Sequence, residues 1–167
     1  LVLLDTNPDK AKKRIIQALS IARLGYDEMK RVLNDAADQN MRSTSRLEMD
    51  LENLVDNYRI AGMKVDLNII GAKMNINQQC YNAIFRLCQE GLTNAMRHGN
   101  AGKSDVFIRF SQKDAEIFVI DNGKGCHDLN KGQGLSGMEQ RITILNGTLS
   151  YGSPEEIGFT IHACIPL

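Results

Sequence analysis

The chain has 167 residues, 43% of them hydrophobic, with 20 basic side chains against 20 acidic ones. That length gives room for one ordinary domain with a small appendage and a real core. The balanced charge supplies no field for nucleic acid or an anionic membrane, and the lack of Trp argues against base-stacking platforms. No apolar run approaches the ~18 residues of a spanning helix, and no signal-peptide pattern opens the chain. Cys80, Cys88, Cys126 and Cys164 include no C-x-x-C pair. Cys88 and Cys164 read as small core residues, and this usage suits a reducing cytoplasm. The start at Leu1 suggests a piece of a longer protein, whose remainder could carry a membrane anchor.

In chain order, Thr6 or Asn7 can cap a helix with Pro8 in its first turn. Ile15, Leu19, Ala22, Tyr26, Met29, Leu33 and Ala36 then recur at heptad spacing. One helix cannot bury such a seam alone. An intramolecular helix pair would do so, but a bundle between chains is the reading preferred, hence a homodimer. The polar stretch 34–45 marks a boundary near residue 40. The expected division is a helical segment over 1–40 and a second domain over 41–167.

Beyond it, Leu47, Leu51, Leu54, Val55 and Tyr58 predict a short amphipathic helix ended near Gly62, and Met63–Ile69 alternates as a half-buried strand. From Gln78 to His98 the apolar positions Ile84, Leu87, Cys88, Gly91, Leu92 and Ala95 form one helical stripe. Glu90, Asn94 and His98, spaced i, i+4, i+8, make a polar row beside it, with Arg97 adjacent. Val106–Phe110 and Glu116–Ile120 predict a hairpin, 121–137 a glycine-rich loop, and Met138–Leu145 a short helix ended by Asn146-Gly147. Thr148–Tyr151 and Phe159–Ile165 are the last strands, joined through Pro154. The expected fold is an α+β two-layer sandwich: a mixed, mainly antiparallel sheet with helices on one face, preceded by a long bundle helix.

Two glycine clusters carry the chemistry. Asp121-Asn-Gly123-Lys-Gly125 ends an apolar strand, where a carboxylate held by rigid backbone can accept a hydrogen bond from an amine such as that of adenine. Alone, Asp-Asn-Gly is read first as a hairpin turn. Gly132-Gln-Gly134-Leu135-Ser-Gly137-Met138 spells G-x-G-x-x-G, but a polar loop precedes it rather than a strand, so the dinucleotide reading is rejected. What survives is anion binding by backbone N–H groups at a helix start.

Glu90-x-x-x-Asn94-x-x-Arg97-His98, Asp121-x-Gly123-x-Gly125 and Gly132-x-Gly134-Leu135-x-Gly137-Met138 follow one another in the order of the N box and two glycine boxes of a known family. Over roughly 42–167 the chain resembles the ATP-binding domain of sensor histidine kinases. These belong to the GHKL superfamily shared with gyrase, the ninety-kilodalton heat-shock chaperones and the mismatch-repair ATPases. The Glu opening the N box, its Arg-His close and the six residues between the glycine boxes resemble the nitrate-sensor and membrane-fluidity-sensor subfamily. The resemblance implies transfer of the ATP γ-phosphoryl group to a His, and thence to an Asp on a response regulator. It implies that Glu90 orients or deprotonates the attacking group, and that Asn94 offers an oxygen to Mg²⁺. Arg97 and His98 would contact phosphate, and Asp121 would read adenine, with Gly123 and Gly125 admitting the base. Gly132, Gly134 and the N–H groups from Leu135 through Gly137 to Met138 would hold the triphosphate, and 126–131 would form a lid.

Two departures stand out. The only histidines are His98, His127 and His162, none placed as the family's phosphoacceptor, which is expected upstream of Leu1. Gly158 is followed by Phe159 and then Thr160, which puts a water-mediated adenine contact in doubt. The alternatives are an inactive nucleotide-binding regulatory or dimerisation module of this fold, or an anti-sigma-type Ser/Thr kinase.

Overall fold

A computed structural model describes residues 42–126, 133–153 and 158–167, all within the unit Asn40–Leu167. The heptad helix over 10–37, most of the lid with His127, Gly132 and the Pro154 connection lie outside the described residues.

Two short strands, β1 (Arg42–Ser43) and β3 (Asn75–Ile76), pair antiparallel and fasten together the starts of the first two helices, α1 (Thr44–Ile60) and α2 (Gln78–Asn94). Arg42 Nε donates to Gln78 Oε1 at 2.7 Å, and the Tyr81 hydroxyl donates to Asp50. Both helices begin on side-chain caps: Ser43 accepts from the Ser45 N–H and Asn77 from the Cys80 N–H, each meeting an otherwise orphaned donor.

The main sheet runs β2-β4-β5-β7-β6, formed by Lys64–Gly71, Lys103–Phe110, Asp114–Asp121, Phe159–Pro166 and Thr148–Gly152. The β2–β4 pair is parallel, because α2 carries the chain across between them, and the other three pairs are antiparallel. Strand alternation follows the expected period: Val106, Ile108, Ile117, Val119, Ile161, Ala163 and Ile165 are buried toward the helices. Against them pack Leu47, Leu51 and Tyr58 of α1, Ile84, Leu87, Cys88 and Leu92 of α2, and Met138 and Ile142 of α3 (Gln133–Ile144). Gly91 lets α2 lie close on the sheet, since a Cβ there would come within 2.8 Å of Val119 Cγ1. The outer face carries Phe107, Phe118 and His162 in one cross-strand row, with Phe118 and His162 stacked at 4.2 Å.

Three details differ from the sequence reading. The long helix is α-helical only to Asn94 and finishes in a π-helical turn, Ala95–Gly99, followed by Asn100 at φ 50°. The last helix begins at Gln133, so Gly134, Leu135 and Gly137 are helical residues rather than parts of a preceding loop. Cys164 is only half-buried: its neighbours Ala163 and Ile165 point into the core, so strand alternation turns it outward. Among the described residues no helix is long and apolar enough to cross a membrane.

Candidate functional site

Three segments meet at one end of the sheet. Asp121 is the last residue of β5, the central strand, and sits opposite Ser104 on β4 and Phe159 on β7. Its Oδ1 accepts the Gly123 N–H at 2.7 Å, folding the first glycine cluster back over the strand end. Gly123 must be small: a Cβ would come within 2.6 Å of Gly99 O and 2.8 Å of Asp121 Oδ1. The Lys124 N–H donates to Gly99 O at 2.9 Å and the Gly158 N–H to Gly123 O at 2.7 Å, so the end of the polar helix, the Asp121 turn and the entry to β7 are tied by backbone. Burial raises the Asp121 carboxyl pKa above the ordinary aspartate range, while N–H groups of Gly123 and Phe159 pull it back down.

The second glycine cluster meets the same polar helix nine residues earlier, at Glu90. A Cβ on Gly134 would lie 1.8 Å from Glu90 Oε1, so the acid on α2 rests directly against the first turn of α3. Glu90 and Asn94 are half-buried and one helical turn apart. The Asn94 backbone carbonyl oxygen lies 3.8 Å from the place a Gly99 Cβ would take, and Asp121 Oδ1 lies 3.4 Å from that place. Glu90, Asn94, Gly99, Asp121, Gly123 and Gly134 thus form one continuous rim. Arg97 and His98 are exposed on the π turn. Gly125 has φ +70°, a left-handed conformation that suits glycine at the exit of the turn. Leu135 and Gly137 are half-buried, and the Met138 side chain is 1% exposed and packed in the core, five residues into α3, where its N–H serves the helix.

Two supports escaped the sequence reading. Asn122 Oδ1 accepts the N–H groups of Gly102 and Lys103 at 3.0 and 2.8 Å, clamping the start of β4 beneath the Asp121 turn. Ser153 Oγ accepts the Cys126 N–H at 2.9 Å, anchoring the beginning of the lid segment to the end of β6. Asn within an Asp-x-Gly turn is a readable signal for such a clamp. The Ser153 contact spans 27 positions and leaves no local pattern.

No group of three or more His, Cys, Asp or Glu side chains among the described residues could cage a metal. A Mg²⁺ that keeps waters and substrate phosphate oxygens needs only one or two protein ligands, and the neutral amide oxygen of Asn94 has the chemistry for one of them.

Residues 81–167 match the family described as histidine kinase-, DNA gyrase B- and HSP90-like ATPases. The chain belongs to this family. Membership carries ATP use with it. Sensor histidine kinase YxjM of Bacillus subtilis is 27% identical over 99% of this chain, which spans 40% of that protein. The signal transduction histidine-protein kinase/phosphatase UhpB of Salmonella typhimurium is 31% identical over 87% of this chain, which spans 29% of it. The chain therefore covers well under half of these relatives. The catalytic domain of histidine kinase ThkA, in a nucleotide-free form, superposes with a TM-score of 0.62 at 15% identity, covering 77% of this chain and 97% of that one. This last likeness establishes the shared fold.

Proposed function

We propose that residues 41–167 are the ATP-binding catalytic domain of a two-component sensor histidine kinase, with 1–40 contributing to a dimerising helical bundle. The γ-phosphoryl group of ATP would pass to a His upstream of this chain and then to a response-regulator Asp. The observation that carries this reading is the contact of the Glu90 carboxylate with Gly134. It sets a helix-borne acid against the helix start suited to phosphate, on the same rim as the half-buried Asp121.

Each residue then has a physical task. Asp121, ionised, accepts a hydrogen bond from the adenine amino group, and Gly123 and Gly125 leave room for the base. The free N–H groups of the first turn of α3, those of Gly134 and Leu135, would face the phosphates at its positive end, whereas the N–H groups of Gly137 and Met138 are taken up by the helix's own hydrogen bonds. Arg97 supplies charge-assisted bonds to phosphate, and His98 adds a second contact on the same turn. Asn94 would hold Mg²⁺, which when bound offsets charge on the transferring phosphoryl group. Glu90 orients the attacking imidazole and takes its proton.

Glu90→Gln in a protein that includes the acceptor His should slow autophosphorylation by ~10²- to 10⁴-fold, the usual worth of a positioned acid or base, while ATP affinity is retained. Radiolabel transfer followed over time tests this, and an undiminished rate would remove Glu90 from the chemistry.

A further inference from the structure

Glu90 and Asn94 act only if the last turn of α2 holds its rotation, and that turn is followed at once by the change to π-helical register at Ala95. The Ala95 N–H still reaches the carbonyls of Gly91 and Leu92, but beyond it the α-helical register is not continued, as is frequent at functional sites. A second support comes from α1. Tyr58, 1% exposed, brings its hydroxyl 3.1 Å from the Gln89 carbonyl and 2.8 Å from Thr93 Oγ1. Thr93 Oγ1 in turn donates to the Gln89 carbonyl at 2.8 Å.

Gln89 and Thr93 each precede a site residue, Glu90 and Asn94, by one position. At ~100° per residue, fixing one pair about the helix axis fixes the direction of the other. The Thr93 back-bond would by itself tend to bend the helix. The phenol counters this by holding both oxygens from a second, packed helix. We propose that Tyr58, acting with Thr93, is a positioning residue for the phosphate end of the nucleotide site: it sets the helix rotation that lets Asn94 meet Mg²⁺ and Glu90 face the attacking group at the γ-phosphate. This rests on the assignment of Glu90 and Asn94 made above.

Tyr58→Phe keeps the buried ring and deletes only the hydroxyl. ATP affinity is measured on this chain by calorimetry, once in Mg²⁺ and once in EDTA, beside its thermal midpoint. The affinity in EDTA rests on Asp121 and backbone N–H groups, and should stay within about two-fold of the parent. The gain in affinity on adding Mg²⁺ should fall about five-fold, the scale of one lost hydrogen bond. Thr93→Val should do the same and Thr93→Ser should restore the gain; this pair decides the matter if Tyr58→Phe does not fold. A lowered thermal midpoint with an unchanged Mg²⁺-dependent gain in Tyr58→Phe and Thr93→Val would overturn the positioning role while leaving the site intact. If the parent chain binds no ATP in either condition, the site assignment falls and the positioning role falls with it.

Discussion

Asp121 is held in a state that costs the free protein something. Burial lifts its pKa above the ordinary aspartate range. A carboxyl whose folded pKa is raised contributes stability that is full below its unfolded pKa and lost as pH rises through the folded value. At neutral pH it is therefore a net cost, and Asp121→Asn should leave the apo protein equally or more stable in thermal melts. The same change should weaken ATP binding ~ten- to hundred-fold, the worth of a charge-assisted bond. The Gly123 N–H holds Oδ1, so an amide would turn its NH₂ toward the adenine amino group, donor against donor. Lowering the pH through the raised pKa should likewise release ATP from the parent, at a pH above that of an ordinary aspartate. Calorimetric titrations across pH check both, and an affinity unaffected by the substitution would count against the adenine contact. Gly134→Ala separates stability from function in a different way. Alanine favours the helix by up to ~1 kcal/mol, but its Cβ would displace the end of the Glu90 side chain. A rise or no change in melting temperature, with phosphoryl transfer reduced in a protein carrying the acceptor His, is the expected pair of results.

Among the elements, α2 does most to create the site, and its seat on the sheet is narrow at Gly91. Gly91→Ala would drive a Cβ into Val119 and Ile161, both on packed strands, and should destabilise the domain by ~1–3 kcal/mol, read from denaturant midpoints. The apolar stripe of this helix was plain in the sequence, as were the alternating strands, because burial on one face imposes a period. The π turn was not, since a change of backbone register after Asn94 leaves the apolar spacing through Leu92 and Ala95 undisturbed. The start of α3 was missed because Gly134 and Gly137 read as loop residues, whereas burial of Met138 and Ile142 holds the helix in place. The β1–β3 pair has two residues per strand, too few to show any period. Cys164 was misread because small size says nothing about direction, while its flanking buried residues do. For the candidate site, the spacing of Glu90, Asn94 and Asp121 with the glycines was visible in the sequence, and the structure sets Glu90 against Gly134 and Asp121 beside Gly99 and Gly123. Tyr58 read only as a core ring, because a hydroxyl's partner on another helix leaves no trace in local pattern.

At the scale of the molecule, the sheet and its helices bring an acid, an amide-bearing residue and a half-buried carboxylate from chain positions 90, 94 and 121 to one rim, with the glycine clusters supplying the space between. Of the histidines in the described residues, His98 is exposed on the rim's own π turn, and His162 lies on the sheet's outer face 3.2 Å from Glu116. Neither stands as an acceptor. Incubated with ATP, this chain should bind nucleotide without acquiring acid-labile phosphate. The most direct test of the whole account is a crystal structure of the chain with a non-hydrolysable ATP analogue and Mg²⁺. The account predicts the adenine amino group on the Asp121 carboxylate, the triphosphate over the first turn of α3, and the metal beside Asn94. A nucleotide bound away from Asp121, or with its phosphates remote from both Glu90 and Gly134, would contradict it.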